Sequence, residues 1–199
     1  MSPINLIFSA FAACLLVLAP VRAEESALGP AVGEALPHDL SAPTAFGEDT
    51  NAEALMGENG MALFFSRSVD WCPYCQAEAV EINNNYAEFE ALGISVVFVT
   101  YDAQDKQQKF IQRTDFQPTL LSDPEAEIIN AFGIRNETYG PESKAYGIPH
   151  PLVLIVSPDQ IVRAKRFEED FQTNKRSYVN RPTVSEVLEA IDEGLNAEA

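Results

Sequence analysis

The sequence predicts an α/β fold with a central mixed β-sheet flanked by helices, behind an N-terminal extended arm, and three observations carry that prediction. Short apolar runs rich in β-branched residues, "MALFF" (61–65) and "ISVVFVTYD" (94–102), alternate with stretches of helical periodicity. The first run is followed within a few residues by "WCPYC" and a helical pattern, a strand–turn–helix order. Late in the chain "LVLIVSPDQIVRAKRF" reads as two strands joined by a Ser-Pro-Asp-Gln turn, which adds antiparallel strands to a parallel core.

Taken in order, residues 24–60 are rich in Pro, Gly, Asp and Asn. They predict an arm with one or two short strands and a helical turn near Ala52–Met56. The domain proper runs from 61 to 199. After the strand at Met61–Phe65, apolar residues at Cys75, Ala79, Ile82, Tyr86 and Phe89 predict one helix over Pro73–Leu92, closed by Gly93. Pro73 suits a first helical turn, where its missing N–H costs nothing. Ile94–Asp102 is a central parallel strand. A polar amphipathic helix follows at "QDKQQKFIQRT", then a short strand at Pro118–Asp123 and a helix over Pro124–Gly133. "IRNETYGPESKAYGIPHP" is a long irregular connection, and such loops often carry function. Thr183 with Glu186 three residues on forms a capping box for a closing helix to Leu195.

The chain has a formal net charge of −17 over 199 residues, 46% of them hydrophobic. That is enough for one domain with a real core. The acidity argues against nucleic acid or an anionic membrane surface as partner, since both select a basic face. Residues 1–23 differ in character. Leu6–Ala23 is apolar, ends in Val21-Arg22-Ala23 and gives way to Glu24-Glu25. This reads as a signal peptide cleaved after Ala23, placing the mature protein in the periplasm or outside the cell. A membrane contact would arise only if that segment stayed uncleaved; its apolar run falls short of the ~20 residues a span requires. Cleavage removes one arginine and no acid, taking the charge to −18, and discards Cys14.

Cys72 and Cys75 then remain. A structural staple is a poor reading, because a disulfide closing so short a loop removes little unfolded-state entropy. Zinc needs about four ligands, and His38 and His150 lack ligand spacing, so no metal site is expected. The strand–CxxC–helix order favours a redox pair. Cys72 falls where helix N–H groups point at its sulfur and the helix dipole favours thiolate, so it is the expected nucleophile. Cys75, one turn on and more deeply set, is the expected resolving thiol.

These segments resemble the thioredoxin-like superfamily, and more closely its AhpC/TSA-type redoxins, the peroxiredoxin-like proteins. The matching stretches are "VGEALP" (32–37), "ALFFSR" and "DWCPYC" (62–75), "LGISVVFVTYD" (92–102), "LLSDPEAEIINAFGI" (120–134) and "HPLVLIVSPDQIV" (150–162). The resemblance implies a proline, usually cis, facing the disulfide from the start of the late strand; of Pro149 and Pro151, counting back from the turn favours Pro151. His150 is then either a loop histidine without a role or a neighbour of the sulfurs. Trp71 either packs beside the site or, as the resemblance suggests, shapes the surface on which a partner docks. Tyr74 sits inside the motif, where it tunes the potential or is a plain exposed helix residue. Arg67 and Asp70 read as solvated loop charges.

Three positions depart from the relatives. Peroxiredoxins carry Thr or Ser three residues before the attacking Cys, where Val69 stands here, with Ser68 one place off. Thioredoxins carry a buried Asp six residues before it, where Ser66 stands; Glu78 and Glu81 are the substitutes offered by the following helix. Glutaredoxins share Cys-Pro-Tyr-Cys, but no Thr-Val precedes the late proline and no Gly-Gly follows it, so no glutathione or other cofactor is expected. The leading expectation is an exported thiol–disulfide oxidoreductase acting on protein thiols and disulfides or with a thioredoxin-type electron donor. The alternatives are a thiol peroxidase consuming hydroperoxides through the same two cysteines, and a non-enzymatic thiol, metal or assembly chaperone.

Overall fold

The computed structural model of the chain describes residues 28–195; the expected signal peptide and its cleavage point lie outside them. The arm holds a two-residue antiparallel ribbon, β1 (Ala42–Pro43) and β2 (Asp49–Thr50), and the short helix α1 (Ala52–Leu55). The main elements are β3 (Gly60–Phe65), α2 (Pro73–Asn84), α3 (Tyr86–Ala91), β4 (Ile94–Thr100), α4 (Gln104–Thr114), β5 (Thr119–Ser122), α5 (Glu127–Ala131), β6 (Leu152–Val156), β7 (Val162–Arg166) and α6 (Val184–Leu195). A 3₁₀ turn at Ser177–Val179 precedes α6.

The sheet order is β5-β4-β3-β6-β7. β3, β4 and β5 run parallel, while β6 and β7 run antiparallel to their neighbours. Strand alternation feeds two cores. Ala62, Phe64, Val96, Phe98, Val153 and Ile155 face Ala79 and Ile82 of α2, Phe110 of α4 and Val187 and Ile191 of α6. Met61, Leu63, Phe65, Val97, Val99, Leu152 and Leu154 face Leu40 and Leu55 of the arm and Ile128 and Ile129 of α5. Both faces are covered, which explains the continuous apolar runs of the central strands. Phe64 and Phe98 are register partners on β3 and β4, and their rings stack with centroids 4.4 Å apart.

Two helices differ from expectation. The helix predicted over Pro73–Leu92 breaks at Asn85, whose backbone leaves helical geometry at φ −112° and ψ 15°. Asparagine side chains compete with the helix for main-chain groups there. Asn83 accepts from the Gln117 N–H at 2.8 Å and donates to the Asp115 carbonyl, and Asn85 donates to the Glu81 carbonyl. The helix predicted from Pro124 begins at Glu127. Ala126 before it is left-handed (φ 57°), and the Asp123 carboxylate accepts from the N–H groups of Glu127 and Ile129. The capping box forms as read: Glu186 Oε2 accepts from the Thr183 N–H at 2.7 Å, and Thr183 Oγ1 accepts from the Glu186 N–H.

β3, β4 and β5 all end at one edge of the sheet, and β6 starts there. That edge therefore gathers the loops at 66–72, 101–103 and 123–126 and the connection ending at Pro151. Open α/β sheets place their sites in this position.

Candidate redox site

The turn that carries the cysteines is built on a buried carboxylate. Asp102, just beyond β4, accepts from Ser68 Oγ (2.7 Å), the Val69 N–H (2.7 Å) and Thr100 Oγ1 (2.9 Å). Burial raises its pKa, and these hydrogen bonds oppose the rise. Ser68 Oγ in turn accepts from the N–H groups of Asp70 and Trp71, and Gln76 donates to the Val69 and Asp70 carbonyls. Replacing Ser68 with alanine is expected to cost about 2 kcal/mol, since it strips a donor from a buried carboxylate and an acceptor from two amides. Urea unfolding of the oxidised protein measures it.

Cys72 is the N-cap of α2, with Pro73 at the first helical position. Its Sγ accepts from the Cys75 N–H at 3.4 Å, the contact through which a helix N-terminus favours thiolate. Cys72 and Cys75 form a disulfide, with Cα atoms 5.3 Å apart. The expected difference in depth is not what separates them: Cys72 is 1% and Cys75 0% exposed. Their asymmetry comes from neighbours. Cys72 has a helix amide, while Cys75 has a buried ion pair.

That pair is Glu78 and Arg181. Glu78 lies one turn beyond Cys75, on the same helix face. Its Oε2 is 3.1 Å from Arg181 Nε, and Arg181 Nη2 reaches Cys75 Sγ at 3.5 Å. Ser66 Oγ also donates to Glu78, at 3.4 Å. Burial pushes the Glu78 carboxyl up to about 7, against the pull of Arg181 and Ser66. Arg181 is itself pulled down by burial and held up by Glu78; a guanidinium stays charged throughout. Arg181 also donates to the Tyr178 and Asn180 carbonyls, which fixes its approach. Of the two carboxylates offered by the helix, the structure brings Glu78 to the cysteines and leaves Glu81 exposed.

The remaining predicted residues are distributed around this centre. The Trp71 indole N–H donates to Tyr101 Oη at 2.8 Å, and Tyr101 donates to the Lys144 carbonyl. Tyr74 is 37% exposed, edge-on to Tyr178 at 6.0 Å. Pro151 lines a cavity of about 150 Å³ together with Glu78, Arg181, Phe167, Phe171 and Asn180. The expected cis bond is absent: the described residues contain no cis peptide, so Pro149 and Pro151 are both trans. Trans is the lower-energy form of an X–Pro bond, and the ladder contacts here are made without leaving it. Arg135 bridges to Pro149, and the His150 N–H bonds to the Ile134 carbonyl at 2.7 Å. The His150 ring makes no hydrogen bond to either sulfur. It packs edge-on against Phe171 at 4.8 Å, and burial with nearby Arg67 lowers its pKa.

Arg67 overturns its reading as a solvated charge, being 4% exposed. Its guanidinium lies 3.8 Å from the Tyr178 ring centroid, because the aromatic residues of the late loops close over it. Asp70 is exposed, as read, and pairs with Lys106 at 3.7 Å. Two functional candidates escaped the sequence. Asp102 left a signal, a carboxylate at the C-terminal end of a central strand. Arg181 left none, since "VNRP" has no periodicity to register it against residues 72–78.

The fold and its disulfide define a thioredoxin-like protein with a redox-type CxxC at a helix N-terminus. The AhpC/TSA family model matches residues 32–165, and the chain belongs to the AhpC/TSA family, a family of redox enzymes. The chain is 24% identical to "Peroxiredoxin Bcp" of Escherichia coli over 138 residues, covering 68% of this chain and 83% of that one. Among solved structures, peroxidoxin BcpB from Mycobacterium tuberculosis superposes with a TM-score of 0.61 at 22% identity, covering 80% of this chain and 97% of its own. A peroxiredoxin-like protein from Aquifex aeolicus gives 0.66 at 21%, covering 83% and 90%. At these identities the structural likeness shows the fold.

Proposed function

We propose that this enzyme is an exported thiol–disulfide oxidoreductase in which Cys72 is the nucleophile and Cys75 resolves. The observation that carries the reading is the Glu78–Arg181 pair set behind Cys75. The Cys72 thiolate attacks a substrate disulfide and expels one substrate thiolate, forming a mixed disulfide. Cys75 then gives its proton to the Glu78 carboxylate, and its thiolate, beside the Arg181 guanidinium, attacks Cys72 Sγ. The second substrate thiolate leaves, two electrons have passed to the substrate, and the enzyme is a disulfide. The reverse sequence oxidises a dithiol. A carboxyl near 7 is matched to this duty at neutral pH. Export rests on the apolar Leu6–Ala23 segment ending in Val21-Arg22-Ala23.

A second reading, hydroperoxide reduction, is supported by the names of the relatives. In that reaction the Cys72 thiolate takes the terminal oxygen, releases alcohol or water and becomes a sulfenic acid. Cys75 then condenses with it, with loss of water. Against this, Val69 stands three residues before Cys72, where the resemblance to peroxiredoxins implies a hydroxyl. It is fully buried in apolar surroundings, and the neighbouring Ser68 hydroxyl is already committed to Asp102. The test is Cys75→Ser, which is expected to accumulate a mixed disulfide at Cys72 with a disulfide-bonded protein substrate, read by mass spectrometry. Rapid peroxide consumption by the wild type, with no mixed disulfide trapped, would transfer the assignment to the peroxidase.

A further inference from the structure

Cationic side chains are scarce in this chain, 13 against 30 acidic ones. Two of them, Arg67 and Lys144, nevertheless sit on the ring of Trp71, the residue just before Cys72. Their charged groups lie 5.4 Å and 5.2 Å from its centroid. Among the described residues neither pairs with a carboxylate. The acid nearest in sequence, Asp70, turns to Lys106 instead. Arg67 is almost wholly buried, yet among the described residues its one side-chain hydrogen bond is to Tyr139 Oη at 3.2 Å, and its Nε finds no partner there. The rings of Tyr178, Trp71 and Tyr139 offset part of the cost of burying that charge, as cation–π contacts do, but supply no counter-charge. Lys144 is exposed, and its backbone carbonyl ends the Trp71–Tyr101 hydrogen-bond chain.

We propose that Arg67 and Lys144, set on the Trp71 indole, form a receptor for a carboxylate that the substrate carries next to its reacting sulfur, as in an acidic peptide segment flanking a cysteine. The proposal rests on Cys72 being the attacking thiol. It gives the site a sign opposite to that of the whole protein. A net charge of −17 repels an anionic substrate at long range, whereas the local pair attracts it at contact.

The opposition makes a test by comparison of variants. The fully reduced wild-type protein is mixed with the dianionic 5,5′-dithiobis(2-nitrobenzoate) or the uncharged 4,4′-dithiodipyridine, and the rate of the first exchange is followed as salt is raised. Salt screens the long-range repulsion as well as the contact attraction, so the receptor is read by comparing wild type with Lys144→Glu: salt should speed the dianion less in wild type than in the variant, while the uncharged disulfide's rate stays flat in both. Lys144→Glu, an exposed substitution that leaves the buried cluster intact, is expected to slow the dianion roughly fivefold and spare the uncharged disulfide. Arg67→Lys should keep the wild-type salt dependence, and Arg67→Gln should move it toward that of Lys144→Glu. The same salt dependence of the dianion in wild type and Lys144→Glu, or an equal loss with both disulfides in Lys144→Glu, would overturn the receptor. If the uncharged disulfide reacts no faster with wild type than with Cys72→Ser, the nucleophile assignment fails, and the receptor with it.

Discussion

Serine in place of Cys72 is expected to end turnover with every disulfide or hydroperoxide substrate, a loss of at least about 10³-fold, because Cys72 supplies the sulfur that makes the first bond, to a disulfide sulfur or to the terminal peroxide oxygen. Cys75→Ser should behave differently. It keeps the first exchange at near wild-type speed and stops at the mixed disulfide. The pair of variants separates nucleophile from resolving thiol, which burial does not, since both sulfurs are enclosed. Alkylation of the Cys75→Ser protein against pH supplies the electrostatic half of the argument. With an α2 N–H directed at it, the Cys72 thiol should titrate well below the ~8.5 of a free cysteine. An ordinary titration would sink the assigned mechanism.

The second large effect belongs to Glu78. Glu78→Gln removes the proton acceptor behind Cys75 and leaves Arg181 in place. Resolution of a preformed mixed disulfide is expected to slow roughly 100-fold at pH 8, the scale of a positioned general base. Wild type should show a rate that climbs through about pH 7 as the carboxyl ionises, and the variant should lose that inflection. Stability follows the same group. Its native pKa lies above the ordinary 4.5, so between 4.5 and 7 the folded state binds more protons than the unfolded state. The oxidised protein should therefore lose stability as pH rises across that window, by about 3 kcal/mol from this group, and level off above it. Asp102 and Asp123, also raised by burial, add slope of the same sign. The readout is accordingly the difference between wild type and Glu78→Gln in denaturant midpoints at pH 5 and 7.5. Equal slopes in the two proteins would contradict the assignment.

What the sequence disclosed was whatever repeats along it. The strands at Met61–Phe65 and Ile94–Asp102, the late hairpin and the Thr183–Glu186 cap all follow from periodicity or from short local patterns, and all are found, the second strand ending at Thr100. The position of Cys72 before α2 was legible for the same reason. The break at Asn85 was less so, since three consecutive asparagines signal competition with a helix without saying whether tertiary partners such as Gln117 will be there to win it. Arg181 was invisible because its meaning comes from Glu78, and the contact crosses an irregular loop. Arg67 was misread for a related reason. Its surroundings are rings from residues 71, 139 and 178, which only the folded chain gathers.

Arg181 meets Glu78 across 103 residues of chain. As the polypeptide is synthesised, both cysteines emerge long before their guanidinium does. Until the 3₁₀ turn at Ser177–Val179 and the start of α6 have docked, the two thiols are an untuned pair on a helix end. Tuned chemistry is thereby reserved for finished molecules: a chain halted after β7 would display the whole of WCPYC and the strand before it, yet still lack the charge that partners Glu78.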